Sequence, residues 1–146
     1  MTRISEEDYR SFIKRLHKNG KAASIPEPPR PSKYHNKKST YYDPDLNESL
    51  AFDSLKELDY YLILKDRLNK GEITDLRRQV SITIQPAFDF NGKRIRAITY
   101  RADFIYIDKK DGLPHIIDVK GMRTDVYKLK KKLLLYQGYE IEEVYL

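Results

Sequence analysis

The chain has no cysteine and no tryptophan, and only six glycines and three histidines in 146 residues. Without cysteine, neither a disulfide framework nor a thiolate zinc centre can hold the fold. His17, His35 and His115 are too scattered for a histidine metal centre, and His115 shares a strand face with Ile117 and Val119, a structural setting. No apolar run approaches the roughly 20 residues of a membrane-spanning helix. The opening Met-Thr-Arg-Ile-Ser-Glu-Glu-Asp lacks a signal-peptide core, so a cytoplasmic protein without a membrane partner is expected. Phosphate-binding glycine loops, dinucleotide fingerprints and serine nucleophile elbows are also missing, which removes the usual signs of a nucleotide cofactor or a serine hydrolase.

What is present is charge. Lysine and arginine number 28 against 22 acids, a formal net charge of +6, and 34% of residues are charged. That excess favours a polyanionic partner, nucleic acid ahead of a membrane surface. The 40% hydrophobic content suffices for a modest core, and the length for one domain with an appendage.

Periodicity places the elements. Residues 5–19 form a short amphipathic helix in this reading, capped by Ser5, striped by Tyr9, Phe12, Ile13 and Leu16, and stopped at Asn19-Gly20. A proline-rich connector over 25–31 and a basic stretch over 33–38 complete an N-terminal arm, residues 1–47, with the compact domain over 48–146. A helix over 52–70 follows, capped by Asp53 or Ser54 and stopped at Gly71. Residues 79–90 alternate as a strand, with Val80, Ile82 and Ile84 on one face; Asn91-Gly92 turns into a second strand over 94–108. Lys109 to Gly112 turns into a third, 114–120; Thr124 caps a helix to Gln137, and 139–145 make a last strand.

Four residues carry the candidate chemistry. On the third strand Asp118 and Lys120 share one face, opposite Ile117 and Val119. Asp103 interrupts an apolar run on the neighbouring strand, and Glu57 falls within the apolar arc of the first helix, near Tyr61, Leu64 and Leu68. Taken singly, each has a plain structural reading: a flanking glutamate, a strand-edge acid paired with Arg101, a cross-face salt bridge. Together they suit a hard divalent cation such as Mg²⁺ or Mn²⁺, held by Asp103, Asp118 and the Val119 carbonyl, with Glu57 binding directly or through water. Lys120 would orient or deprotonate an attacking water, or offset charge on a phosphate.

This arrangement resembles the PD-(D/E)xK nuclease superfamily. Within it, the strings at 33–38, 52–57, Gln79, Ala102-Asp103-Phe104, 118–121 and 124–130 resemble a family of small phage and prophage proteins catalogued only as a domain of unknown function. The resemblance covers residue 33 to the C-terminus. It implies a restriction-endonuclease-like αβββαβ core, an α/β (α+β) fold with a central mixed four-stranded sheet flanked by helices. It also implies a metal-dependent endonuclease acting on DNA, with Glu57, Asp103, Asp118 and Lys120 catalytic. Ala102 stands where the superfamily has its proline, which only restricts the backbone beside the aspartate. For Gln79 no chemical role follows from the sequence.

Arg123 beside the Asp-x-Lys strand, Lys128, Lys131 and Lys132 on the second helix, and Lys33, Lys37 and Lys38 beside Tyr34 are the candidate DNA contacts. On the second helix Val126, Leu129, Leu133 and Tyr136 form an apolar stripe. A four-way-junction substrate would call for a homodimer with two active sites. Forks, flaps and duplex are the other substrates in view, in recombination, replication or packaging. A non-catalytic DNA-binding accessory protein and a phage inhibitor of a host factor are the alternatives.

Overall fold

A computed structural model describes residues 38–119 and 122–146. The helix expected over 5–19, the proline-rich connector, Lys33, Lys37 and Lys120 lie outside the described residues.

Strands β1 (Ser39–Asp43) and β2 (Glu48–Phe52) form an antiparallel hairpin, followed by helix α1 (Leu55–Asn69). Ser54 caps α1, accepting a hydrogen bond from the Glu57 amide at 3.2 Å, and Gly71 ends it in the left-handed region at φ +71°. Then come β3 (Ile73–Gln85), the short pair β4 (Phe88–Phe90) and β5 (Lys93–Ile95), β6 (Ile98–Asp108) and β7 (Pro114–Val119). Helix α2 (Asp125–Tyr136), capped by Thr124, leads to β8 (Ile141–Val144). The central sheet runs β3-β6-β7-β8, antiparallel except for the parallel pair β7/β8. A parallel pair needs a crossover, and α2 supplies it. Thus the expected αβββαβ order, with a mixed four-stranded sheet and two helices, is the core of the fold.

Each face of the sheet has its own core. On one, Tyr127 and Leu134 of α2 pack on Ile82, Ile84, Tyr100, Ala102, Ile105, Ile116 and Ile141. On the other, Tyr61 and Leu64 of α1, with Leu50 and Phe52 of the hairpin, cover Ile73, Phe104, Tyr106, Ile117 and Val119. A buried two-residue period should keep one parity along a strand, yet β6 changes phase: Tyr100 and Ala102 face α2, whereas Phe104 and Tyr106 face α1. On β3, Leu76 packs on the α1 side and Val80 on the α2 side. The two breaks are opposite each other, because Arg78 pairs with Phe104 and Val80 with Ala102. Gln79, between them, is left-handed at φ +51°.

Several expected boundaries move. Strand β3 begins at Ile73 rather than 79, because the left-handed Asp75 (φ +53°) and a register shift between Thr74 and Arg77 hide its alternation. It ends before Pro86, which has no N–H for the ladder, so 88–90 become a separate strand. The strand expected over 94–108 correspondingly splits into β5 and β6, while Asn91-Gly92 makes the expected tight turn with both φ values positive. Hairpin β1–β2 straddles residue 48, where the compact domain was expected to start. The stripe of Val126, Leu129, Leu133 and Tyr136 is the exposed side of α2, from 36% exposure at Leu133 to 91% at Tyr136. Tyr127 and Leu134 meet the sheet instead, since seven residues is nearly two whole turns.

Asp43 ties the hairpin to α1. Fully buried, it accepts hydrogen bonds from Tyr61 Oη, from Lys65 Nζ at 3.2 Å and from the Asp45 amide at 2.9 Å. Burial alone would raise its pKa, but these partners more than offset that and hold it below the usual carboxylate range. Asp43→Ala leaves the buried Tyr61 hydroxyl without its acceptor and Lys65 with only its Asp45 pair, and should cost about 2 kcal/mol in urea unfolding at pH 7. Because the folded pKa is depressed, that advantage of the native residue is present above about pH 4 and shrinks as pH falls below it. A loss under about 0.5 kcal/mol at pH 7 would show that the hairpin is not anchored there.

Candidate active site

Glu57 lies three residues after the Ser54 cap, in a Ser-x-x-Glu capping sequence that could have pointed it at solvent. It is buried instead. One carboxylate oxygen accepts from the Ser54 hydroxyl at 3.2 Å and the other from Gln79 Nε2 at 3.3 Å. Burial pushes its pKa up, and the neighbouring Asp53 charge adds to the rise against the Ser54 bond and the nearby Arg78. No ion pair to Glu57 is formed among the described residues. Arg78 stacks its guanidinium 4.0 Å from the Phe52 ring centre and donates to the Ala51 carbonyl at 2.6 Å.

Asp103 stands where β6 and β7 part. Their pairing runs from Ile107 with Pro114 to Phe104 with Ile117. Beyond it the Val119 N–H donates to Asp103 Oδ2 at 2.7 Å, a side chain standing in for the next backbone rung. The other oxygen of Asp103 lies 3.5 Å from Gln79 Nε2, so a single amide nitrogen joins Asp103 to Glu57.

Asp118 is buried on the α2 side of the sheet, where Tyr100 Oη donates to it at 2.6 Å. Burial and this bond push the Tyr100 hydroxyl far above its usual range, so it remains a proton donor. Across the parallel pair, Asp118 is in register with Glu143. Glu143 gathers the Tyr127 hydroxyl at 2.7 Å, the Tyr145 hydroxyl at 2.9 Å, Lys131 at 3.1 Å and Arg123. Burial would raise its pKa, but these four partners hold it down at about 2.

Gln79 thus links Glu57 to Asp103, Asp103 takes the Val119 amide, and Asp118 is held by Tyr100, whose hydroxyl also feels the Asp103 charge. Among the described residues no three histidine, cysteine or acidic side chains converge to hold one metal ion. The donors are nevertheless all oxygen, the chemistry a hard cation takes, and magnesium needs only one or two carboxylates with water completing its shell. Asp103 and Asp118, from the diverging ends of adjacent strands, fit that requirement.

Of the expected DNA contacts, Arg123 and Lys131 are drawn into the ion pairs with Glu143, and Lys128 pairs with Asp125 at 3.3 Å. Lys38 and Lys132 are exposed. His115 stacks on Tyr106 with ring centres 5.3 Å apart and bonds to Asp111 and Glu142. Sequence reasoning missed Tyr100, Tyr127 and Glu143. The one available signal was that Glu143 alternates with Ile141 and so faces the same core.

Since the folded-state pKa of Glu57 is raised, its charge weakens the fold as pH rises through that value. Glu57→Gln, which keeps an acceptor oxygen, should raise the thermal midpoint at pH 7 and leave it nearly unchanged at pH 4. A lower midpoint at pH 7 would mean that the charge stabilises the fold.

A family model described as "Protein of unknown function (DUF1064)" matches residues 31–146. Neither the curated proteins nor the solved structures give a match.

Proposed function

The chain belongs to the DUF1064 family, and we propose that it is a metal-dependent endonuclease that hydrolyses phosphodiester bonds in DNA. The observation that carries this reading is the set of carboxylates brought from three elements, Glu57 of α1, Asp103 of β6 and Asp118 of β7, to the point where β6 and β7 part. The buried pair Glu57 and Asp118 is expensive in a domain of this size unless it serves a purpose. Asp103, Asp118 and the Val119 carbonyl are the groups that would hold Mg²⁺ or Mn²⁺, which supplies Lewis-acid polarisation of a phosphate oxygen and a more acidic bound water.

The chain's own residues do the rest. Tyr100 fixes the rotation of the Asp118 carboxylate through its 2.6 Å bond, and the Val119 N–H does the same for Asp103. Lys120, next but one to Asp118, orients or deprotonates the attacking water and offsets charge on the phosphate. Glu57 accepts a proton or a hydrogen bond from solvent water at the same place. Arg123 and Lys131, beside Asp118 across β7/β8, offer cationic contacts for the DNA backbone once a phosphate competes with Glu143. Such a protein acts in host cytoplasm if phage-encoded, in recombination, replication or packaging.

That no three acidic, histidine or cysteine side chains converge on one metal ion among the described residues favours a second reading, a DNA-binding accessory protein that keeps the fold without cleaving. A panel of single-stranded, duplex, flap, fork and four-way DNA with Mg²⁺ or Mn²⁺ decides between them. Cleavage of at least one substrate is expected, abolished by EDTA and reduced about a hundredfold or more in Asp118→Ala and Lys120→Ala. Tight DNA binding with no cleavage of any substrate would establish the accessory role, and undiminished cleavage by Asp118→Ala would remove these residues from the active site.

A further inference from the structure

We propose that Gln79 is a positioning residue that sets the carboxylates of Glu57 and Asp103 for cation binding, an inference that rests on the endonuclease reading of those acids. Three observations carry it. The Gln79 side-chain nitrogen lies 3.3 Å from Glu57 Oε2 and 3.5 Å from Asp103 Oδ1, and an amide NH₂ has two protons for two acceptors. Its backbone is left-handed at φ +51° in the middle of a thirteen-residue strand, a conformation that a glutamine adopts only when its surroundings enforce it. The sheet also changes phase at this residue, with Arg78 stacked on Phe52 on the α1 side and Val80 packed on the α2 side.

Together these features indicate that the strand gives up regular alternation to direct one amide between two acids. A neutral donor suits that place. It orients both carboxylates and brings no positive charge of its own beside them. A lysine or arginine there would satisfy the charges and compete with the metal. With the Val119 N–H on Oδ2 and Gln79 on Oδ1, Asp103 is held at both oxygens.

The test is Mn²⁺ titration by calorimetry on the full chain without DNA, comparing wild type, Gln79→Gly and Asp118→Ala, with circular dichroism to confirm folding. Glycine accepts the left-handed backbone and removes only the amide. The expected result is Mn²⁺ affinity at least tenfold weaker in folded Gln79→Gly, the scale of lost outer contacts to metal ligands. A change of less than tenfold overturns the proposal. If Gln79→Gly does not fold, Gln79→Asn is measured under the same criterion, since asparagine tolerates this backbone and its amide is one methylene short. Wild type that binds no Mn²⁺ overturns the metal-dependent reading itself, an outcome distinct from wild type and variant binding alike.

Discussion

The 2.7 Å hydrogen bond from the Val119 amide to Asp103 replaces a rung that the ladder between β6 and β7 would otherwise have supplied. An unpaired amide in the middle of a sheet is costly, so two strands can part only where something else accepts that proton. Here the acceptor is a carboxylate, and the opening it permits is the opening where the acids gather. Because Asp103 must reach sideways to Val119, β6 gives up its alternation there, and β3 follows through the left-handed Gln79 opposite. The strand divergence, the phase change and the juxtaposition of Glu57 with Asp103 are thus consequences of one local exchange.

Charge in this domain is handled in two contrasting ways. Asp43 is buried and Glu143 half-buried, yet both are surrounded by hydroxyls and cations, and their pKa values fall despite desolvation. Glu57 is buried with a hydroxyl and an amide for company, and its pKa rises. The first kind binds elements together: Asp43 fastens the hairpin to α1, and Glu143 fastens β8 to α2. The second kind stores unfavourable electrostatics beside a strained backbone, the combination found where groups are kept for chemistry rather than for stability. Most of the cationic charge on α2 is likewise already occupied by protein partners, so a polyanion would have to exchange places with carboxylates rather than meet free lysines.

Much of the architecture was legible in the sequence because it follows local rules. Ser54 and Thr124 are caps, Gly71 and Gly138 stop the helices with positive φ, and Asn91-Gly92 makes the tight turn its composition requires. The alternation of Val80, Ile82 and Ile84 is a property of any extended chain. Boundaries failed where tertiary demands override that periodicity: at Asp75 and Gln79, whose left-handed backbones break the two-residue pattern, and in the β1–β2 hairpin, whose short strands are stabilised by Asp43 reaching α1.

The sequence by itself determined which residue types are on hand: carboxylates at 57, 103 and 118, a lysine at 120, a basic second helix, and the order of helices and strands. Only the tertiary structure decided which of them meet. That Gln79 lies between Glu57 and Asp103, that Tyr100 holds Asp118, that Glu143 stands beside Asp118 and engages Arg123 and Lys131, and that the apolar stripe of α2 faces outward all depend on contacts far apart in the chain. The physical reason is that side-chain type and period are local properties. Which face of a strand a residue occupies after a bulge, and which neighbour crosses beside it, are set by closing the sheet and packing both its faces at once.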